Sequence, residues 1–305
     1  MTAPAEAVRL ASGAQRAVLA PTTGSGGLLA RVVRAPGGAV GTALLAFVAL
    51  ALLAGPLAWA PDPDRQFELA TELLRAPSAA HPFGTDGVAR DVLARVLAGG
   101  RLSLALAAAI VVLATLLGTA WGLVAGLAGA RTDAAMMRLV DAGLAVPRVL
   151  VLLVVLAVPG GESLARLVVA VAATGWFGVA RLVRDDVRRL RASDWVLAAR
   201  ALGTPRREIA RRHLAPHVAG TVLVTMPLGV GHVVALEAAL SWLGIGVQPP
   251  RASWGTLIRE GTDVLVQAPW LALAPGACLV VVVLACTLVA DALRDALDAR
   301  EGARP

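Results

Sequence analysis

Residues 102–128 and residues 264–290 of this chain contain no Asp, Glu, Arg or Lys. An α-helix rises about 1.5 Å per residue, so roughly 20 residues cross the hydrocarbon of a bilayer. Either run is long enough with residues to spare. A peptide group left unpaired in lipid costs several kcal/mol, so such runs must be helices rather than irregular chain. The pattern predicts an all-α polytopic membrane protein, and function is to be sought in the loops and breaks between spans.

Composition points the same way. Hydrophobic residues make up 57% and charged residues 16%, with a mean hydropathy of +0.73, outside the range of soluble globular domains. Low charge also argues against disorder. Cys278 and Cys286 lie eight apart in one apolar run and read as packing residues rather than a disulfide or metal pair. The chain has no lysine, so all 28 basic residues are arginine. The net charge of +7 does not imply nucleic acid, because the basic residues flank apolar runs instead of forming a separate basic domain.

Six spans account for the pattern: residues 38–60, 102–128, 139–158, 164–183, 218–240 and 269–290. Spans three and four are the least regular, since Arg148 interrupts the third and Gly160-Gly161 leaves a short connection to the fourth. Five spans with one re-entrant segment is the alternative count. Arg148 is expected to snorkel toward the cytosolic interface. Residues 1–36 read as a cytosolic tail and 37–101 as the first span with an extracytoplasmic segment. Residues 102–290 form the core transmembrane domain, and 291–305 a second cytosolic tail. With both ends inside, 19 arginines fall on the inner side and eight outside, as retention of basic loops in the cytosol requires.

Two outer segments are substantial. In 61–101, Pro82 restricts His81 to extended backbone, while Gly84 and Asp86 suit turns. The apolar positions Val92, Leu93, Val96 and Leu97 predict a helix along the outer surface before span two, with Arg90 and Arg95 turned away. The second outer segment, 241–268, carries Trp242 and Trp254, read as interface anchors, with a gating role as the alternative.

The inner loop, residues 185–217, is arginine-rich yet patterned. Trp195, Ala199 and Leu202 recur at helical spacing and define one apolar side of a short helix. Ser193 or Asp194 can cap its start, and Gly203 can end it in the left-handed conformation. Thr204 and Pro205 suit the start of a second helix bearing Ile209 and Ala210, with Pro216 at the entry to span five. A helix-glycine-helix between two spans can act as a lever for an external protein. The alternative is a basic loop resting on anionic headgroups.

Here the sequence resembles the permease subunits of bacterial ATP-driven importers. Their signature has a glutamate, two alanines, a glycine and a later hydrophobic-proline region. The matching residues are Leu197, Ala198, Ala199, Gly203, Ile209, His213, Leu214 and Pro216, with Leu197 standing where the family has glutamate. Further segments resemble the C-type subunit of the oligopeptide, dipeptide and nickel importer group. They include His81, Phe83, Gly84, Thr85 and Asp86, then Arg90 and Asp91, with Ala89 where the family usually has glycine. Met137 to Asp141 with Pro147, Glu237 to Pro250, Trp254-Gly255 and Asp291 to Asp298 follow in order. The resemblance covers roughly residues 37–300.

The resemblance implies a type I ABC importer permease fold with six transmembrane helices in the bacterial cell membrane. It implies a B-type permease as heterodimer partner, two cytosolic ATPase subunits or one fused pair, an extracytoplasmic binding protein or lipoprotein, and membrane lipid, with no nucleic acid. The cargo it implies is a di- or oligopeptide, with nickel or another small solute next. An ion-coupled secondary transporter is the rival on physical grounds. Trp195, Leu197, Ala198, Ala199, Leu202, Gly203 and Ile209 would form the coupling helix docked on the ATPase. The chain carries no glycine-rich loop ending in Gly-Lys-Ser/Thr, so ATP and Mg are expected in partner subunits, with no cofactor bound here and no enzymatic activity.

Glu237, His232 and Trp242 are candidates for a cavity or gate, because intramembrane ionisable groups are costly unless paired or wetted. A bond from Glu237 to the backbone of the 244–246 loop is the structural alternative. A pair between Asp141 and Arg138 is expected at the inner end of span three. His213 and His217 read as packing residues, and no metal centre is expected.

Overall fold

The computed structural model describes residues 27–59, 62–158 and 163–301. Residues 1–26, the Gly160-Gly161 connection and the side chain of His213 lie outside them. Among the described residues the architecture is helical, with two isolated β-bridges, Gln66 to Arg90 and Thr85 to Asp91. The helices are α1 (Leu28–Arg34), α2 (Pro36–Ala58), α3 (Leu69–Glu72), α4 (Val92–Leu127), α5 (Ala130–Ala145) and α6 (Arg148–Ala157). They continue with α7 (Leu164–Arg191), α8 (Asp194–Ala201), α9 (Arg206–Glu208), α10 (Ala215–Trp242), α11 (Trp254–Thr262) and α12 (Trp270–Glu301).

Five helices, α2, α4, α7, α10 and α12, are long and apolar enough to cross a membrane, and the bent pair α5–α6 makes a sixth crossing if taken as one span. Its halves meet at 79°. The break falls at Val146-Pro147, where proline disfavours helical backbone in the residue before it; Val146 is extended, at φ −88° and ψ 128°. The segment over 139–158 is therefore two helices meeting at a break, as a broken span or a re-entrant loop, and not one unbroken helix.

The centre of the bundle is the packing of α4 on α7. Ala114, Gly118, Gly122 and Gly126 make a small-residue stripe, and a Cβ at Gly122 would lie 2.6 Å from the Ala180 carbonyl oxygen and 2.7 Å from Val183 Cβ. Without a hydrophobic drive between helices in lipid, this close approach is what dispersion contact requires. By contrast α2 is peripheral and packs on α12 through Gly41, whose added Cβ would meet Leu288 Cβ at 2.8 Å. Exposed Phe47, Leu50, Leu53 and Leu57 on α2 are ordinary for a face that lipid covers.

Two sequence expectations are revised. The surface helix before span two does not exist as a separate element: α4 runs unbroken through Gly99-Gly100. Those glycines are a seat and not a break, since a Cβ at Gly100 would lie 2.7 Å from the Trp254 ring and one at Gly99 3.1 Å from Ser253. At its other end the chain reads as a tail up to residue 36, yet α1 is helical and its buried Val32 packs with Ala292, Leu293 and Ala296 of α12.

Candidate functional site

The loop at the arginine-rich end is a short helix with a braced base. Ser193 occupies the N-cap position of α8, but its hydroxyl donates to the Leu190 carbonyl at 2.6 Å instead of capping. At the C-terminus Gly203 has φ +80°. The Thr204 amide donates to Ala199 O at 3.0 Å and the Gly203 amide to Arg200 O at 2.9 Å, the paired bonds of a Schellman motif. The second helix is not separate: α9 passes through a π-helical turn, Ile209–Leu214, directly into α10.

On α8 the two sides differ. Val196 is fully buried, and it joins Ile209, Leu214, Val218, Val183 and Val187 in one cluster, with Ala199 packed against it. Ile209 therefore anchors the lever to α7 and α10 and takes no part in an exposed docking face. Outward stand Trp195 (38% exposed), Leu197 (50%) and Leu202 (86%), beside exposed Ala198 and Gly203. Trp195 stacks on the His217 ring with centroids 5.4 Å apart. Val196, one residue away from the apolar side read from the sequence, is the inward contact that reading missed.

The base is held by charge. Arg184 binds Asp133 with both Nε (2.9 Å to Oδ1) and Nη2 (2.6 Å to Oδ2), and Arg188 Nη1 adds a third bond at 3.2 Å. Fork-to-fork bonds of this kind fix orientation as well as adding energy. Arg191 Nη1 donates to the Gly126 carbonyl at 2.5 Å and to Ala128 O at 3.2 Å, closing the free end of α4. The base of the loop is thus tied to α4, α5, α7 and α10 together. Asp141 pairs with Arg181 of α7, not with Arg138.

At the opposite end the His81–Asp91 segment forms a lattice. His81 Nδ1 lies 2.8 Å from Asp91 Oδ2, while Asp91 Oδ1 accepts from the Ala94 amide at 2.8 Å, capping α4, and from Trp59 Nε1 at 3.2 Å. Thr85 Oγ1 accepts from the Arg75 amide at 2.8 Å and donates to Glu72 O. Gly84 has φ +73°, and a Cβ there would stand 2.4 Å from Arg75 O. Phe83 (36%) and Val88 (37%) are exposed members of the segment.

Buried Asp86 accepts from the Arg90 amide (2.8 Å), Arg90 Nε (2.7 Å), the Val88 amide (3.0 Å) and Arg95 Nη1 (2.7 Å). Arg95, expected on the solvent side, is buried and also binds Glu260 of α11. A helical wheel alone hides this, because its partner lies 165 residues away. Ala89 sits at φ +58°, the left-handed region where an L side chain is disfavoured and glycine is not. That accounts for glycine as the natural occupant of the position.

Glu237 is buried at the same end of the bundle, and its carboxylate is satisfied. Ser103 Oγ of α4 donates to Oε2 at 3.0 Å and Ser241 Oγ to Oε1 at 2.6 Å. Ser103 Oγ in turn accepts from the Trp254 amide (3.2 Å), and Ser241 Oγ from the Val247 amide (3.0 Å). The group ties α4, α10, α11 and the connecting loop together. The bond expected from Glu237 to the backbone of residues 244–246 is not made: Glu237 reaches the loop only through Ser241, at Val247. His232 is exposed on another side of α10, so the two form no pair. Trp242 is half exposed, whereas Trp254 is buried, with Nε1 donating to Val96 O at 3.0 Å. Trp254 is a core residue, not an interface anchor.

Arg148 does not snorkel. Its Nε donates to Thr174 Oγ1 at 3.1 Å and Nη2 to Val171 O at 2.7 Å, both on α7. Among the described residues no group of three or more His, Cys, Asp and Glu is placed to hold a metal ion.

Comparison with known proteins adds an independent line. Residues 118–302 match the family described as binding-protein-dependent transport system inner membrane component. The chain is 38% identical over 260 residues to the oligopeptide transport system permease protein OppC of Bacillus subtilis (strain 168), covering 84% of this chain and 85% of that one. It is 37% identical to the dipeptide transport system permease protein DppC of the same organism, over 75% and 71%. To the OppC protein of Haemophilus influenzae it is 35% identical, over 72% and 71%.

Proposed function

The chain belongs to the family of binding-protein-dependent transport system inner membrane components, and from that premise we propose that it is the membrane-spanning permease subunit of an ATP-driven importer of di- or oligopeptides. It is a transport component and not a catalytic subunit. ATP and Mg belong to ATPase partners, a B-type permease completes the pathway, and an extracytoplasmic binding protein delivers the cargo.

The observation that carries this reading is the two-sidedness of α8. Leu197, Ala198 and Leu202 form an exposed apolar tip, beside Trp195 stacked on His217, while Val196 and Ile209 lock the same segment into the bundle. Exposed apolar groups on a basic loop are unfavourable in water, and a cleft on a partner protein removes that cost. Leu197, in place of a glutamate, makes the contact apolar where the family uses charge. Closure of the ATPase pair would then displace α8, and the Asp133–Arg184 clamp would pass the movement to the broken span α5–α6. This assigns α8, α1 and the end of α12 to the cytosol and the His81–Asp91 lattice to the outer side. The lattice holds the outer ends of α2, α4, α11 and α12 as a rigid rim for the binding protein.

The test is peptide uptake into proteoliposomes by the complex purified with its ATPases. Uptake requiring ATP and the binding protein supports the reading, whereas uptake driven by an ion gradient without ATP overturns it.

A further inference from the structure

Arg148 carries a charge that none of its contacts described above balances. It begins α6, directly after the break at Val146-Pro147. Its contacts on α7, Val171 and Thr174, lie eight and eleven residues beyond Ser163, about 12–16 Å along the helix axis. The guanidinium is therefore near the middle of a hydrocarbon layer of about 30 Å, and Gly175 leaves it room, since a Cβ there would be 2.8 Å from Arg148 Nη2.

Its partners are both neutral, a hydroxyl and a carbonyl. Among the described residues no carboxylate lies within 4.0 Å of it, in contrast to Arg95, Arg181 and Arg184, each of which has one. Nη1 makes no hydrogen bond to a described residue, and it is not among the enclosed polar atoms. One edge of the fork thus stays open. A cation at this depth without an opposite charge is costly and marks a wetted pathway or a missing anion. The N-terminus of α6, which starts at Arg148, adds positive potential at the same place.

We propose that Arg148 is a cargo-binding residue that receives the free C-terminal carboxylate of a peptide as it passes the break in the third span. This rests on the peptide-importer reading and adds to it the point of charge recognition within the membrane. Nε and Nη2 are held by α7, so the fork is oriented before cargo arrives, and Nη1 is the edge presented to the carboxylate. Movement of α5 against α7 would change how far that edge projects, which links cargo grip to the lever.

The experiment compares ATP-dependent uptake of one tripeptide as free acid and as C-terminal amide, with the binding protein saturated by each. The complexes carry wild-type chain, Arg148→Gln or Arg148→Lys. In the wild type the acid should be preferred. In Arg148→Gln uptake of the acid should fall roughly ten- to a hundredfold, the loss of a charge-assisted bond, and uptake of the amide by less than about twofold. Arg148→Lys keeps a point charge and should retain a reduced preference for the acid, which decides the matter if the Gln variant does not assemble. Equal losses for acid and amide in Arg148→Gln, or an undiminished acid preference in either variant, would overturn the proposal. Failure of the wild type to transport either peptide would instead refute the importer reading.

Discussion

Replacing Glu237 with alanine removes the acceptor of two buried hydroxyls at once. Ser103 Oγ and Ser241 Oγ each donate to the carboxylate while accepting a backbone amide, from Trp254 and Val247 respectively. Each hydroxyl left without an acceptor costs about 1–2 kcal/mol. The one lost methylene adds roughly 0.8 kcal/mol, so Glu237→Ala should destabilise by about 3–5 kcal/mol. Glu237→Gln keeps the packing and one acceptor, but turns a donor toward one of the two hydroxyls; it should cost about 1–2 kcal/mol. Loss of helical circular dichroism during titration of detergent micelles with sodium dodecyl sulfate reports the difference. The serines also predict non-additivity. Ser103→Ala and Ser241→Ala should each cost less on top of Glu237→Ala than alone. The bond to the carboxylate is then already gone, and only the backbone amide each hydroxyl accepts is newly orphaned. A change below about 0.5 kcal/mol for Glu237→Ala would refute the reasoning, because it would mean that the carboxylate is wetted and not the centre of the network.

Three further outcomes are expected. Gly203→Val should impair transport while leaving membrane insertion intact, since a β-branched side chain at φ +80° costs about 1–2 kcal/mol; Gly203→Asn, which tolerates that region, should retain most uptake at equal protein level. Ala89→Gly should stabilise the outer lattice by about 1 kcal/mol, read as a raised melting temperature of the purified chain, because it relieves the left-handed strain at φ +58°. Gly122→Leu should prevent assembly of the bundle, detected as aggregation on size exclusion, since even a Cβ would lie 2.6 Å from the Ala180 carbonyl.

Local signals carried much of the architecture, and long-range ones accounted for what they missed. Uncharged runs announced α4 and α12, because the bilayer imposes length and apolarity on any span. The glycine ending α8 was legible because its requirement is purely local: Gly203 closes a Schellman motif with residues four and three before it. By contrast Val92, Leu93, Val96 and Leu97 read as a separate surface helix, yet Gly99-Gly100 carry α4 on unbroken and admit Trp254 from a segment some 150 residues later. Arg95 read as a solvent-facing charge for the same reason, since Asp86 and Glu260 come to it only in the folded bundle. The apolar stripe over Trp195, Ala199 and Leu202 located the lever, but not which side faces inward. Val196 and Ile209 settle that by packing on α7 and α10, contacts that no helical wheel contains.

The account turns on whether the free tip of α8 is where the ATPase grips. With a cysteine at Leu202, 86% exposed, and the ATPase partners copurified, short bifunctional thiol cross-linkers should join the two proteins in high yield, and reagents confined to the outside of intact cells should not label it. No cross-link in an assembled, ATP-hydrolysing complex, or labelling from outside the cell, would contradict the account.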